Sequence, residues 1–296
     1  MKSLKIATLR GLALVVTLFC PFSALAGDDV EEQLKTEYVG KVLTLRHFYK
    51  GDHLVFQSDG SLIGLAEVGP WTVDSQIEVK KITVRDRGLQ IRGRRVFLVF
   101  DARPKLLSDS GTKPYRDVTE SLQESGAPDR DKLEEYFKAR EVDIQIGLAT
   151  EKPSLNEASS AMNAVFLAPG EAIHDFVPDF WRDYFDQIEG RPQTVRHAAE
   201  PVYFANQVSS MPHATYAPNP DFSEEARRGK FQGTTTVSLV VDPLGTVKDI
   251  QIVSPLGLGL DDRAVASVST WKFDPAMKNG KPVSVRVEVE VDFHLY

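Results

Sequence analysis

The sequence predicts an α+β protein with two domains. Residues 40–101 hold short β-prone runs separated by Gly and Asp turns, which is typical of hairpins. Residues 283–295 alternate apolar and polar side chains, which indicates a strand with one buried face. Residues 190–220 contain five prolines and no lasting periodicity, which favours a linker between the two domains.

The N-terminal part is expected to be a β-rich domain with added helices. Its clearest hairpin signal covers residues 77–100, and residues 142–148 alternate like a strand. Three further stretches show apolar residues at helical spacing, namely 131–140, 156–168 and 179–188. The expected parts are a signal peptide over 1–26, the N-terminal domain over 27–190, a Pro-containing linker over 191–217 and a C-terminal domain over 218–296.

The first 26 residues have the pattern of a secretory signal peptide. Three basic residues lie among the first ten, and the uncharged stretch over 11–26 ends in the small-x-small triplet Ala24-Leu25-Ala26. This stretch has 16 residues, whereas a membrane-spanning helix needs about 20. We therefore expect a periplasmic protein that begins at Gly27. The alternative is an uncleaved anchor in the inner membrane, with the protein facing the periplasm.

Charge and composition limit the function classes. The chain has 296 residues and a net charge of −7, and loss of the three basic residues at the start leaves −10. This acidity argues against nucleic acid as a partner. Cys20 is the only cysteine, so residues 27–296 offer no thiol or disulfide chemistry. Motifs for metal, phosphate or nucleophile sites are missing, and the six histidines share no ligand spacing. We expect no enzyme activity, no metal and no cofactor.

The last eighty residues predict a small sheet with one packed helix in the order β-β-α-β. Ser223 can cap a short helix that carries acidic residues first and basic residues last. Strands are predicted over 233–241 and 247–253, and a helix capped by Asp261 follows. The long final strand, over 283–295, completes the sheet.

The same residues resemble the C-terminal domain of the TonB family. The similarity rests on five segments in order: PDFSEEARR followed by QG over 220–233, VVDPLGTV over 240–247, LDDRAV over 260–265, WKFDPA over 271–276 and KNGKPV over 278–283. It covers residues 218–296. The resemblance implies a periplasmic domain that pairs a strand with a short peptide segment of an outer-membrane receptor, coupled to the proton-motive force of the inner membrane.

The resemblance also implies where a partner binds. We expect the last strand to be the docking edge, with its charged side chains selecting the partner, and Phe222, near the start of the domain, to take part in binding. The implied partner is an outer-membrane TonB-dependent receptor or another envelope protein. A motor complex of the inner membrane is expected only if the N-terminal segment is not cleaved. The candidate binding residues are Val283, Ser284, Val285, Arg286, Val287, Glu288, Val289, Glu290, Val291, Asp292, Phe293 and Phe222.

A second interpretation places the function in the N-terminal domain. The β-rich unit and the aromatic stretch over 179–188 could enclose an apolar ligand or form an envelope scaffold. In that case the TonB-like module only tethers the N-terminal domain. An enzyme hidden in residues 27–200 is a third and weaker hypothesis.

Overall fold

The computed structural model describes residues 27–100, 115–125, 130–191 and 201–295. The expected signal peptide, the start of the expected linker and Cys20 lie outside the described residues. The fold is α+β, as the sequence predicts. The helices are α1 Gly27–Tyr38, α2 Trp71–Asp74, α3 Val118–Ser125, α4 Arg130–Lys138, α5 Leu155–Val165, α6 Arg182–Ile188, α7 Glu224–Arg228 and α8 Leu260–Val268. The strands are β1 Val42–Thr44, β2 His53–Phe56, β3 Gln76–Arg85, β4 Gly88–Val96, β5 Leu98–Phe100, β6 Tyr115–Asp117, β7 Glu141–Gly147, β8 Val202–Phe204, β9 His213–Tyr216, β10 Gly233–Val241, β11 Val247–Ser254, β12 Lys272–Asp274, β13 Ala276–Lys278 and β14 Lys281–Phe293.

The N-terminal sheet has five strands in the order β1-β3-β4-β7-β2. The predicted hairpin over 77–100 is confirmed as β3 and β4, which turn at Asp86 and Arg87. β2 pairs with β7 in parallel, and the other neighbours are antiparallel. Helices α1 and α5 cover this sheet and contribute Val30, Leu34 and Met162 to its core.

A buried aromatic cluster lies beside this sheet. It consists of Trp71, Phe100, Trp181, Tyr184 and Phe185, all less than a tenth exposed. The rings of Trp71 and Trp181 meet edge to face with their centroids 5.2 Å apart. Phe100 stacks on Trp181 at 5.5 Å. The aromatic stretch over 179–188 is typical of a core or an interface, and three of its rings, those of Trp181, Tyr184 and Phe185, are buried in this cluster.

The C-terminal sheet has the predicted β-β-α-β arrangement. β10 pairs with β11 on one side and with β14 on the other, and α8 packs on the sheet through Leu260, Ala264 and Val268. The alternation of the last strand is confirmed over residues 287–293, where Glu288, Glu290 and Asp292 are exposed and the apolar residues between them are buried or half-buried. It fails at the start of the strand, because Ser284 is buried next to Val285.

The described part of the expected linker contributes strands. β8 pairs with β14 in parallel, and β9 pairs with β12 antiparallel. Ser210 forms a bridge with Met277 of β13. Residues 201–216 therefore lie along the C-terminal sheet. The division of the chain into two independently folding domains stays a prediction.

The two sheets are joined at a seam formed by residues 98–100 and 256–258. The backbone N–H of Phe100 donates to the carbonyl of Leu256 at 3.1 Å, and that of Leu258 donates to Leu98 at 2.9 Å. Gly257 lies between them with φ +95°, and a Cβ there would stand 2.2 Å from the carbonyl oxygen of Leu98. Only glycine fits this close approach.

Asp261 has a different role from the predicted helix cap. The residue before α8 is Gly259, with φ +74° and no side-chain cap. The fully buried carboxylate of Asp261 instead accepts the backbone N–H groups of Leu256 at 2.9 Å and Gly257 at 2.8 Å. It also accepts the hydroxyl of Thr235 at 2.9 Å. Asp261 thus shapes the loop that forms the seam.

Candidate functional site

The pairing of β14 with β10 shows on which side of β14 each backbone N–H group points. The N–H of Asp242 donates to the carbonyl of Thr246 at 3.0 Å, so residue 242 faces β11. Because direction alternates along a strand, Val241 and every second residue before it face β14. Val241 pairs with Val285 in a regular register. The N–H groups of the β14 valines therefore point toward β10. The N–H groups on the opposite side of β14 belong to Ser284, Arg286, Glu288, Glu290 and Asp292.

That opposite side of β14 is occupied over only part of its length. β8 pairs with residues 284–286. In the part of the chain that the structure describes, no strand pairs with residues 287–293 on this side. These seven residues form the open edge, which is about 23 Å long at about 3.3 Å per residue. An extended segment of similar length fits along it.

The opposite edge of the C-terminal sheet, formed by β11, is covered. α6 and the 3₁₀ turn Asp179–Trp181 pack on the outermost strand, β11. The N–H of Asp183 reaches the side-chain oxygen of Gln251 at 3.4 Å. Strand addition at β11 therefore meets the N-terminal part of the chain, whereas the described segment next to the open edge is the short 3₁₀ turn Ala205–Gln207, which contacts β14.

Acidic side chains line the polar face of the open edge. Glu288, Glu290 and Asp292 are exposed. Asp292 accepts the hydroxyl of Thr234 at 2.5 Å, and the two glutamates have no ion pair among the described residues. Arg286 lies next to this group and pairs with Asp249, which neutralises it. The open edge therefore presents a negative face that suits a partner with basic side chains.

The predicted docking residues fall into three groups. Val283 pairs with Ala276 of β13, and Ser284, Val285 and Arg286 already have β8 beside them. Residues 287–293 form the open edge. Ser284 belongs to the predicted polar face, yet it is 8% exposed, because β8 lies against it.

Phe222 is half-buried beside the last residue of β14, and its contact with a partner stays a prediction. Its ring meets that of Phe293 edge to face at 5.4 Å, and it packs against the main core. The sequence does not predict β8, because three residues in a proline-containing stretch are too few to show a period of two. The pairing is set by the distant strand β14.

A cavity in the N-terminal part is the second candidate site. It has a volume of about 500 Å³ and lies between β1, α5 and α6. Its wall is largely apolar, with charged groups at several points. The lining includes Tyr38, Leu43, Met162, Phe166, Ile188 and Glu189. A volume of this size is within the range of small-molecule sites.

Three carboxyl groups have raised pKa values: those of the buried residues Asp74 and Asp261, and that of Asp262, which has a buried oxygen atom. Burial raises the pKa of Asp74 to about 6 and that of Asp261 to about 6. Burial and the neighbouring Asp261 raise the pKa of Asp262 to about 7. The Oδ2 atom of Asp262 is buried and accepts no hydrogen bond from the described residues.

These raised pKa values predict the direction of the pH effect. In the unfolded chain these carboxyl groups have the ordinary aspartate pKa of 3.8 and lose their protons above it. The folded state still holds these protons between pH 3.8 and the raised pKa values. Stability therefore falls as the pH rises toward 7. We expect a higher melting temperature at pH 5 than at pH 8. The Asp262→Asn variant should show a smaller difference, and exposed Asp221→Asn should behave as wild type. Equal melting at both pH values in the wild type would contradict this prediction; calorimetry measures it.

Two kinds of feature are missing from the residues that the structure describes. No group of three or more His, Cys, Asp or Glu side chains in the described ranges could hold a metal ion. None of the helices that the structure describes combines the length and apolarity needed to cross a membrane.

Comparison with known proteins identifies the C-terminal sheet. Residues 218–295 match the family model described as Gram-negative bacterial TonB protein C-terminal. This match shows that the C-terminal quarter is a domain of the TonB C-terminal family, as its motifs indicate.

Two individual proteins are similar to this chain. The chain is 30% identical over 77 residues to Protein TonB of Vibrio cholerae serotype O1, which is 26% of this chain and 32% of the relative. The chain therefore spans about a third of the length of that curated relative. The solution NMR structure of the Pseudomonas aeruginosa TonB CTD covers 31% of this chain and 95% of its own, with 17% identity and a TM-score of 0.24.

Proposed function

We propose that this protein binds an extended peptide segment of an outer-membrane receptor, or of another envelope protein, by adding it as a strand to β14. The open edge over residues 287–293 carries this proposal. Main-chain hydrogen bonds along an unpaired strand supply affinity, and neighbouring side chains supply selectivity. The acidic face of Glu288, Glu290 and Asp292 would favour partner strands with Lys or Arg on the same side.

The family supports the location and the class of partner. A domain of the TonB C-terminal family is expected in the periplasm, where it meets outer-membrane receptors. Through such a contact the protein would support energy-coupled transport across the outer membrane. It acts by binding and not by catalysis in this proposal. Coupling to a motor complex of the inner membrane applies only if the N-terminal segment remains attached.

Photo-crosslinking in the native host tests this function. A benzophenone amino acid is placed at Glu290 on the open edge, or at Leu244, which is 87% exposed on the β10–β11 turn. We expect position 290 to crosslink to an outer-membrane receptor, identified by mass spectrometry, and position 244 to give no such product. Equal products at both positions, or none at position 290, would contradict strand addition at this edge.

The cavity favours a second candidate function, in which the N-terminal part binds a small apolar ligand. Met162 lines the cavity and is 1% exposed. Native mass spectrometry of protein purified from the host should detect a bound small molecule. The Met162→Trp variant, which fills part of the space, should lose it. Finding each protein only at its own ligand-free mass would exclude this candidate.

A further inference from the structure

β8 lies on the same side of β14 as the open edge. Val202, Tyr203 and Phe204 pair in parallel with Ser284, Val285 and Arg286, respectively. The backbone N–H and carbonyl groups of Ser284 and Arg286 point toward β8. Those of Tyr203, which lies between them, point toward β14, so Tyr203 can bond to β14 through both its N–H and its carbonyl. The chain therefore performs on itself the strand addition that the open edge offers to a partner.

The attachment of β8 is short and little buried. All three of its residues are at least partly exposed, and Phe204 is 58% exposed. The strand ends at once in the 3₁₀ turn Ala205–Gln207, where the Gln207 side chain accepts the N–H of Phe204 at 2.9 Å. The ammonium group of Lys278 lies 3.8 Å from the centre of the Tyr203 ring. Segments with few buried apolar contacts open at a low free-energy cost.

We propose that β8 is an internal competitor for the docking edge, which rests on the proposed function of that edge. A partner strand confined to residues 287–293 leaves β8 in place. A longer partner strand, covering residues 284–293, must displace it and then gains the additional pairing. A tethered competitor acts at an effective concentration of about millimolar. It therefore raises the apparent Kd of ligands that must displace it, and only ligands with long, well-matched strands bind in its place.

A peptide copy of β8 tests whether this strand is a separable ligand. The probe is a fluorescein-labelled synthetic peptide of residues 201–210, and anisotropy measures its binding to the full chain. The Tyr203→Pro variant removes the central N–H of β8 and frees the edge. We expect this variant to bind the peptide at least about tenfold more tightly than wild type, which corresponds to about 1.4 kcal/mol.

A disulfide lock provides the opposite state. Val202 and Ser284 are register partners, and neighbouring strands are about 4.8 Å apart, within the range of a disulfide. A Val202→Cys/Ser284→Cys pair, in a Cys20→Ser background because Cys20 is the only native cysteine, should not bind the peptide until it is reduced. Near-ultraviolet circular dichroism checks the fold of each variant. If Tyr203→Pro does not fold, Val202→Gly/Phe204→Gly takes its place.

The outcomes separate this proposal from the proposed function. Equal peptide binding by the freed, wild-type and locked proteins would overturn it, as would no binding by the freed protein at about 1 mM peptide. Partner capture at the open edge is tested separately by substitutions at Glu288 and Glu290, which β8 does not touch. Because the probe is the chain's own segment, a failed partner assay leaves this test intact.

Discussion

Replacing Glu288 or Glu290 with proline should lower partner affinity on the order of tenfold to a hundredfold while the fold persists. The N–H groups of both residues point away from β10, so proline removes no hydrogen bond of the native sheet. A partner carbonyl is then left without a donor, which costs about 1–3 kcal/mol. The change is measured as the affinity of the receptor identified by crosslinking for surface-immobilised wild-type and variant protein.

Two kinds of variant are the controls for this prediction: alanine at the two glutamate positions, and proline at the valine between them. Glu288→Ala and Glu290→Ala keep the outward N–H, so we expect their affinity to stay within about threefold of wild type. Val289→Pro removes an N–H that faces β10 and should lower the melting temperature. Normal capture by both glutamate-to-proline variants would show that the partner binds elsewhere.

Replacing Trp181 with alanine should destabilise the whole protein by about 3–5 kcal/mol. Its side chain is fully buried, and it meets the rings of Trp71, Phe100 and Tyr184. The turn that carries it also packs on β11, so its loss loosens the contact between the two sheets. A typical domain has about 5–15 kcal/mol in total, so the melting temperature should fall steeply; calorimetry measures it.

Trp271 provides the matched comparison. Its helical spacing from Ala264 and Val268 predicts that it is a structural anchor of the C-terminal domain, but it is only partly buried. Its Nε1 donates to the carbonyl of Pro218 at 3.2 Å. We therefore expect Trp271→Ala to cost less than Trp181→Ala. A Trp181→Ala variant that melts no lower than Trp271→Ala would contradict the central position of the aromatic cluster.

The sequence predicts most of what is local in this fold. The hairpin of β3 and β4 and the alternation of β14 follow from neighbouring residues, because a strand's period is written in its own side chains. The helix cap at Ser223 is also local, and its hydroxyl accepts the N–H of Ala226 at 3.1 Å. The candidate edge itself, over residues 283–293, was predicted from the family resemblance.

The parts that escaped prediction depend on distant contacts. Which half of β14 stays open depends on β8, some eighty residues earlier. The burial of Phe222 depends on Phe293, and the role of Asp261 depends on the N–H groups of a loop that also meets residues 98–100. None of these contacts leaves a period or motif in the sequence, since each joins residues that only the folded chain brings together.

Amide hydrogen exchange of β14 tests strand addition most directly. The measurement compares the free protein with its complex with a synthetic peptide of the receptor segment found by crosslinking. We expect the outward N–H groups of Glu288, Glu290 and Asp292 to exchange at least about a hundredfold more slowly in the complex, because each gains a hydrogen bond. Binding that leaves the exchange of these three groups unchanged would contradict docking at the open edge.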